Sequence, residues 1–300
     1  MSIKDKLLKK LTDWLMREKP PKGMPLSDFN RLRYEIKPCD VLLIEGQSRV
    51  SNVIRRVTQS PWTHAMLYIG YIRDIENPEL RKKLKTLYTG DENDQLVIEG
   101  LLGKGTILTP LKYYAKSHMR ICRPDGIARE DNQKVLSYAI RQLGMPYNVR
   151  QILDLARLLF PWSILPRRWR SSLFVYNAGD ATQQICSTLI AEAFASVKFP
   201  ILPVIKRKDK NKVALYQLNP RLITPKDFDY SPFFDIIKYP IYDLSEKGLY
   251  RHLPWSEDNI VMNDDGTTSN HVSKTLTDTA ANSSDTKTKK AEAEKAIDKK

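Results

Sequence analysis

The sequence lacks both the long apolar runs of a membrane-spanning protein and the paired cysteines of a disulfide-rich one. No stretch approaches the roughly 18 to 20 uninterrupted apolar residues that a spanning helix needs. The segment from Met1 to Lys4 has no apolar block followed by small residues, the pattern of a secretory signal. Cys39, Cys122 and Cys186 are odd in number and widely spaced, which predicts free thiols. We therefore expect a cytoplasmic protein with reduced cysteines.

Metal-ligand patterns are also missing. The sequence contains neither C-x-x-C nor H-E-x-x-H, the spacings that most often mark zinc sites. We therefore expect a protein that uses no metal and no other cofactor.

Acidic residues are outnumbered by basic ones, and the excess lies in the body of the chain. Lys and Arg total 49 against 35 Asp and Glu, giving a formal charge of +14. The tail over 256–300 holds nine acids and seven lysines, so the residues before it carry +16. Such a body favours anionic partners such as phospholipid, nucleic acid or an acidic substrate. Nucleic acid ranks last, because no base-reading motif accompanies the basic clusters.

Two segments have the composition of a membrane-facing surface. Residues 1–22 are predicted to be a basic amphipathic segment, and its helix ends before Pro20 and Pro21. A loop over 160–170 combines Trp with Arg. Each segment suits an anionic membrane surface, but the helix can equally dock on its own domain and the Trp and Arg side chains can form an ordinary cation–π contact.

The chain is predicted to have one globular domain and a tail. Residues 23–255 contain the apolar segments that can build a core. Past 255 the composition shifts to Thr, Ser, Asn, Asp and Lys, which cannot bury enough surface to order the chain. We therefore expect residues 256–300 to be disordered.

Three predicted elements carry the candidate chemistry. One strand begins at His64 and ends at Gly70, and a second ends just after Glu99. A helix over 182–196 holds Cys186 in its first turns. The other predicted elements are strands over 41–44 and 119–123, helices over 48–57, 78–90 and 131–143, a basic loop over 206–212, and extended segments over 222–243.

These residue types suit nucleophilic catalysis. A thiol attacks as the thiolate, which a helix N-terminus and a neighbouring histidine both stabilise. Glu99 can orient the His64 imidazole if the fold brings the two together. A lone Cys in an apolar helix is more often a core residue, so Cys186 needs that fold to become a nucleophile. Cys39 precedes a strand and Cys122 lies within one, which makes them weaker candidates.

Several segments resemble the circularly permuted papain-like hydrolases of the YiiX and YaeF type, in the NlpC superfamily. The matching segments are residues 37–43, 60–70, 97–100, 144–147 and 185–190. The histidine segment precedes the cysteine segment, which is the order in the permuted group. The resemblance implies an α+β fold in which a cysteine-bearing helix packs on an antiparallel sheet.

By position, the resemblance makes Cys186 the nucleophile, His64 the base and Glu99 the third member of a triad. Thr63, Tyr147 and Ser187 lie in the same segments and are candidate substrate-binding residues. The sequence departs from the family at Cys39, where Gly is common, and at Asn148, where Asp is common. Neither departure touches the triad.

Three functions remain open. The first is an amidase or peptidase that forms a thioester acyl-enzyme. The second is a lipid acyl hydrolase or acyltransferase at the cytoplasmic face of a membrane. The third is a binding module that keeps the fold without turnover.

Overall fold

The computed structural model divides the chain into two compact units, Met1–Ile241 and Tyr242–Lys300. The predicted N-terminal segment therefore belongs to the first unit, and the predicted domain boundary at residue 255 lies within the second. No helix in the described part of the chain is long and apolar enough to cross a membrane. The structure describes residues 10, 12–18, 23–145, 186–209, 212–242, 247–255, 260–262 and 267–270.

A six-stranded sheet forms the framework of the first unit. Its strands lie in the order β4, β3, β2, β1, β5, β8, and each neighbouring pair is antiparallel. The strands are β1 (Val41–Ile44), β2 (His64–Gly70), β3 (Leu96–Leu101), β4 (Gly105–Pro110), β5 (Met119–Pro124) and β8 (Phe234–Ile237). This arrangement confirms the predicted α+β class.

Successive side chains along a strand point to opposite faces of the sheet, and each face has its own apolar core. Ala65 and Leu67 of β2 belong to one core, which the longer helices cover. Met66 and Tyr68 belong to the other, on the opposite face of the sheet. The predicted alternation of this strand is therefore confirmed, and it leaves His64 at the strand's first residue.

Of the helices in the described part of the chain, the second to the fifth occur close to their predicted positions, whereas the first was not predicted. Ser48 caps the second of them, because its side chain accepts a hydrogen bond from the Ser51 N–H. The helix that follows Cys186 packs against α4 and β2. The helices are α1 (Phe29–Glu35), α2 (Arg49–Thr58), α3 (Pro78–Leu87), α4 (Arg129–Arg141), α5 (Ser187–Ser196) and α6 (Pro225–Tyr230).

Two predicted irregular segments form regular structure. The predicted basic loop over 206–212 belongs to a hairpin of β6 (Val204–Asp209) and β7 (Lys212–Tyr216), because β-branched and aliphatic residues flank its charges. The segment over 222–243, predicted to be extended, contains α6 before it forms β8. Pro225 at the first turn and Thr224 at the cap explain that helix.

The N-terminal segment docks on the first unit where the structure describes it. Residues 12–16 are helical, and Leu15 is fully buried. The Arg49 guanidinium donates to the Trp14 carbonyl at 3.0 Å and stacks 4.5 Å above its ring centroid. Thr12 lies against Gly103, at the turn between β3 and β4. The helix was predicted either to dock on its own domain or to bind a membrane, and these residues dock on the domain. Residues 1–9 and the predicted loop over 160–170 lie outside the described residues.

The described residues of the second unit include short regular elements. A 3-10 helix spans Leu249–His252, within the predicted globular domain, and β9 (Ile260–Met262) pairs with β10 (Thr268–Asn270). The disorder of residues 256–300 stays a prediction. Residues 271–300 lie outside the described part.

Candidate active site

Sheet pairing brings the candidate base and the candidate acid together. His64 opens β2 opposite Ile44, and Glu99 lies on the adjacent β3. The His64 Nε2 lies 2.6 Å from the Glu99 Oε2. The Glu99 side chain is fully buried, whereas that of His64 is 17% exposed. A carboxylate in this position fixes both the orientation and the proton position of the imidazole.

Cys186 reaches the other side of the same imidazole. It is the N-cap residue of α5 rather than a residue within its first turns, and it is 6% exposed. Cys186 and His64 line one cleft, and their opposite charges stabilise each other. Because Glu99 engages Nε2, Nδ1 is the ring nitrogen left for the sulfur.

The surroundings of Cys186 favour the thiolate. Burial alone would raise the pKa of the Cys186 thiol. The charge and the hydrogen bond of His64, together with hydrogen bonds from the Ala65 and Ser187 backbone, outweigh burial and lower that pKa below the ordinary thiol value. In turn the negative charges of Cys186 and Glu99 outweigh desolvation and raise the pKa of His64. The pair therefore favours thiolate and imidazolium.

The two other thiols have the opposite environment. Burial raises the pKa of both Cys39 and Cys122 well above the ordinary value, and neighbouring carboxylates at Asp40 and Asp229 add to the effect. These thiols stay protonated and serve as core residues. The predicted ranking of the three cysteines agrees with this contrast.

Tyr114 is a member of the site that sequence reasoning missed. Its phenol donates a hydrogen bond to Glu99 Oε2 at 2.7 Å. Burial opposes ionisation of Glu99, but hydrogen bonds from His64, Thr109 and Tyr114 lower its pKa below the usual carboxyl value. No sequence motif marks Tyr114, because it follows β4 on a short 3-10 helix, Leu111–Tyr114.

A cleft opens beside the sulfur and the imidazole. Its empty volume is about 610 Å³, including space open to solvent. The apolar part of its wall consists of Val50, Ile54, Leu101, Leu102, Ile44 and Met16. Met16 and Glu18 come from the N-terminal segment, so the docked helix forms one wall of the cleft.

The three candidate substrate-binding residues have different positions. Thr63 lines the cleft, and its hydroxyl oxygen accepts a hydrogen bond from the Gly46 N–H at 2.9 Å. Ser187 is fully buried, and its hydroxyl donates to the Ile223 carbonyl at 2.5 Å, so only its backbone faces the sulfur. Tyr147 lies outside the described residues.

Among the described residues, no group of three or more His, Cys, Asp or Glu side chains could hold a metal ion.

A cysteine at a helix N-terminus, late in the chain, lines one cleft with a histidine that contacts a buried acid on an antiparallel sheet, as the resemblance to permuted papain-like hydrolases implies. Residues 35–157 match the model of the permuted papain-like amidase family, YaeF/YiiX, C92. The predicted resemblance to this family is thereby confirmed, and it supports a hydrolase of the amidase type. The matched region includes His64 and Glu99 and ends before Cys186.

Comparison with solved structures gives a more distant likeness. The crystal structure of the metalloprotein yiiX from Escherichia coli O157:H7 is 15% identical, covers 73% of this chain and 100% of its own, and gives a TM-score of 0.39. A TM-score of this size supports no inference about function. No curated protein matches the chain significantly.

Proposed function

We propose that this protein is a cysteine amidase or peptidase that acts through Cys186, His64 and Glu99 and forms a thioester acyl-enzyme. The observation that carries the proposal is that Cys186 and His64 line one cleft, with the His64 Nε2 lying 2.6 Å from the Oε2 of the buried Glu99 carboxylate. The amidase family match over residues 35–157 adds independent support. The proposed roles need a Cys186 thiolate, a His64 imidazolium and a Glu99 carboxylate. The directions of the three pKa shifts favour these ionisation states.

In the acylation step the Cys186 thiolate attacks the carbonyl carbon of an amide. The oxyanion forms beside the N-terminus of α5, where backbone N–H groups favour negative charge. As the intermediate collapses, the C–N bond breaks and the His64 imidazolium gives its proton to the leaving amine. The products of this step are a thioester on Cys186, a free amine and neutral imidazole.

Deacylation returns the site to its starting state. Neutral His64 takes a proton from water as the water oxygen attacks the thioester. The C–S bond breaks, releasing a carboxylic acid, the Cys186 thiolate and the imidazolium. Glu99 stabilises the imidazolium in the resting state and orients the ring throughout.

A second candidate is a lipid acyl hydrolase or acyltransferase at a membrane surface. The apolar wall of the cleft, with Val50, Ile54, Leu101 and Leu102, favours it because such a surface can bind an acyl chain. The same thioester would then pass its acyl group to water or to a lipid amine or hydroxyl. The sequence of residues 1–9, with its lysines, and that of residues 160–170, with Trp and Arg, would suit an anionic membrane partner for this candidate.

Trapping the acyl-enzyme tests both candidates. Intact-mass spectrometry would follow the full chain incubated with a short peptide amide or with a phospholipid, and the mass gained identifies the acyl group. Cys186→Ala should abolish the adduct, while Cys122→Ala, which removes a buried protonated thiol, should keep it. An adduct from phospholipid alone would favour the second candidate.

The proposal fails if an electrophilic acyl probe modifies Cys186 no faster than Cys39 or Cys122 in folded protein. That outcome would favour a binding module on a hydrolase fold.

A further inference from the structure

The β6–β7 hairpin presents a group of aliphatic side chains to solvent. Its strands pair antiparallel, with Ile205 opposite Leu215 and Arg207 opposite Val213. Side chains two residues apart on a strand share a face, so Ile205, Val213 and Leu215 lie together. Their side chains are 66%, 59% and 62% exposed. Single exposed aliphatic residues are common, but three neighbours on one face form a patch that suits a partner.

The same hairpin carries a dense positive charge. Residues 206–212 read Lys-Arg-Lys-Asp-Lys-Asn-Lys, which is five basic residues against one acidic residue, or +4. Lys206 and Arg207 are exposed. On the other face of the hairpin, the Lys206 Nζ lies 5.7 Å from the centroid of the Tyr216 ring. Aliphatic, basic and tyrosyl side chains thus occupy one small element.

The charge decides which partner fits the patch. A second copy of this hairpin would bring +4 against +4, so electrostatic repulsion opposes self-association. Nucleic acid would satisfy the charges, but its phosphate backbone offers no apolar surface to the three aliphatic side chains. An anionic bilayer satisfies both, because its headgroups attract Lys and Arg while the acyl boundary accepts aliphatic groups.

We propose that the β6–β7 hairpin docks the protein on an anionic phospholipid surface. Ile205, Val213 and Leu215 enter the headgroup–acyl boundary, while Lys206 and Arg207 contact lipid phosphates. The net charge of +16 before residue 256 adds a long-range attraction in the same direction. This inference rests on the hairpin and is independent of the catalytic proposal.

Vesicle flotation of the full chain tests the proposal. Wild type should float with vesicles of mixed phosphatidylcholine and phosphatidylglycerol, should not float with pure phosphatidylcholine, and should lose binding as salt screens the charges. Replacing Ile205 and Leu215 together by Ser should lower partitioning at least tenfold. Lys206→Glu removes one positive charge and adds one negative charge, so partitioning should fall by more than the roughly fivefold expected for each basic residue.

A matched double variant controls for lost surface hydrophobicity. Met24→Ser with Tyr34→Ser removes two side chains that are 82% and 83% exposed elsewhere in the same unit, and it should float like wild type. Circular dichroism and thermal unfolding would show that all variants remain folded. The proposal is overturned if wild type ignores anionic vesicles, if the hairpin variants float like wild type, or if an acidic protein or RNA binds this patch while vesicles do not.

Discussion

Tyr114 donates its phenol hydrogen bond to Oε2 of Glu99, the same carboxylate oxygen that the His64 imidazole engages. Burial and the neighbouring carboxylate raise the pKa of Tyr114, so the phenol remains a neutral donor throughout the working pH range. Hydrogen bonds to His64 and to Tyr114 therefore both favour the ionised form of Glu99. The arrangement extends the candidate triad by one residue that hydrogen-bonds to its acid.

Tyr114→Phe tests this positioning role. Loss of a hydrogen bond to a charged group is worth about 1.5–3 kcal/mol, so the pKa of Glu99 should rise by about one to two pH units. The acid limb of kcat/KM should move to higher pH, with a smaller loss at the optimum. A uniform loss at every pH would contradict the role. Tyr113→Phe changes the neighbouring tyrosine, which is 72% exposed, and should leave the profile unchanged.

Glu99→Gln tests the charge of the acid while keeping its shape. Wild-type activity should rise as Cys186 ionises, below the ordinary thiol value, and fall as His64 loses its proton, above the ordinary imidazole value. Without the carboxylate the pKa of His64 falls and that of Cys186 rises, so the active pH range should narrow from both sides. We expect kcat/KM to drop on the order of 10²-fold, measured across pH. An unchanged profile would show that Glu99 only fills space.

Alkylation rates should separate the three thiols. Cys186 should react with iodoacetamide well below pH 8.5, the ordinary thiol value, because its pKa is lowered, whereas Cys39 and Cys122 stay protonated and buried. In His64→Ala, only the Ala65 and Ser187 backbone hydrogen bonds still oppose the effect of burial, so the pKa of Cys186 should rise and its reaction should move to higher pH. Peptide mapping after labelling measures each site. Equal rates at the three sites would contradict the ion pair.

Cys39 should carry backbone strain. Its φ is 78°, a left-handed value that glycine tolerates and side chains resist. Cys39→Gly and Cys39→Ala both remove the buried thiol, but only Gly relieves the strain. We expect the Gly variant to be more stable than the Ala variant by about 1 kcal/mol. Chemical unfolding measures the difference, and a more stable Ala variant would refute the strain.

The contact between Gly103 and Thr12 should couple the N-terminal segment to activity. A Cβ on Gly103 would lie 2.5 Å from the Thr12 Cγ2, and the φ of Gly103 is +79°. Gly103→Ala should therefore displace residues 12–18 and raise KM, because Met16 and Glu18 line the cleft. Adding Thr12→Ser removes the clashing methyl and keeps the hydroxyl, so part of the KM effect should reverse. If it does not, backbone strain alone explains the Gly103 variant.

Local sequence patterns predict much of the fold and several residues of the candidate site. The strand at His64–Gly70 and the cap at Ser48 follow from alternation and side-chain chemistry within a few residues. His64 and Glu99 were predicted because strand ends and motif segments locate them. Their contact, however, needs the register that places Leu67 opposite Ile98, and register depends on the whole sheet.

Other features depend on interactions that the local sequence does not encode. Tyr114 reaches Glu99 only because the chain turns back after β4. The sequence predicts a loop at the β6–β7 hairpin, because charged residues interrupt the alternation of apolar and polar side chains that is typical of a strand. The Ser187 hydroxyl donates a hydrogen bond to the Ile223 carbonyl, 36 residues further along the chain. No local sequence motif predicts such a long-range contact.

The order of the elements also determines when the protein can become chemically active. Strands β1 to β5, with His64 and Glu99, are complete by residue 124, whereas Cys186 and the edge strand β8 come much later. During synthesis from the N-terminus, the base and the acid are therefore made well before any nucleophile. A chain cleaved between residues 145 and 186 would yield two pieces, one with an acid–base pair and one with a thiol. Under the proposed mechanism neither piece would turn over substrate alone, and activity would return only when the two pieces reassemble.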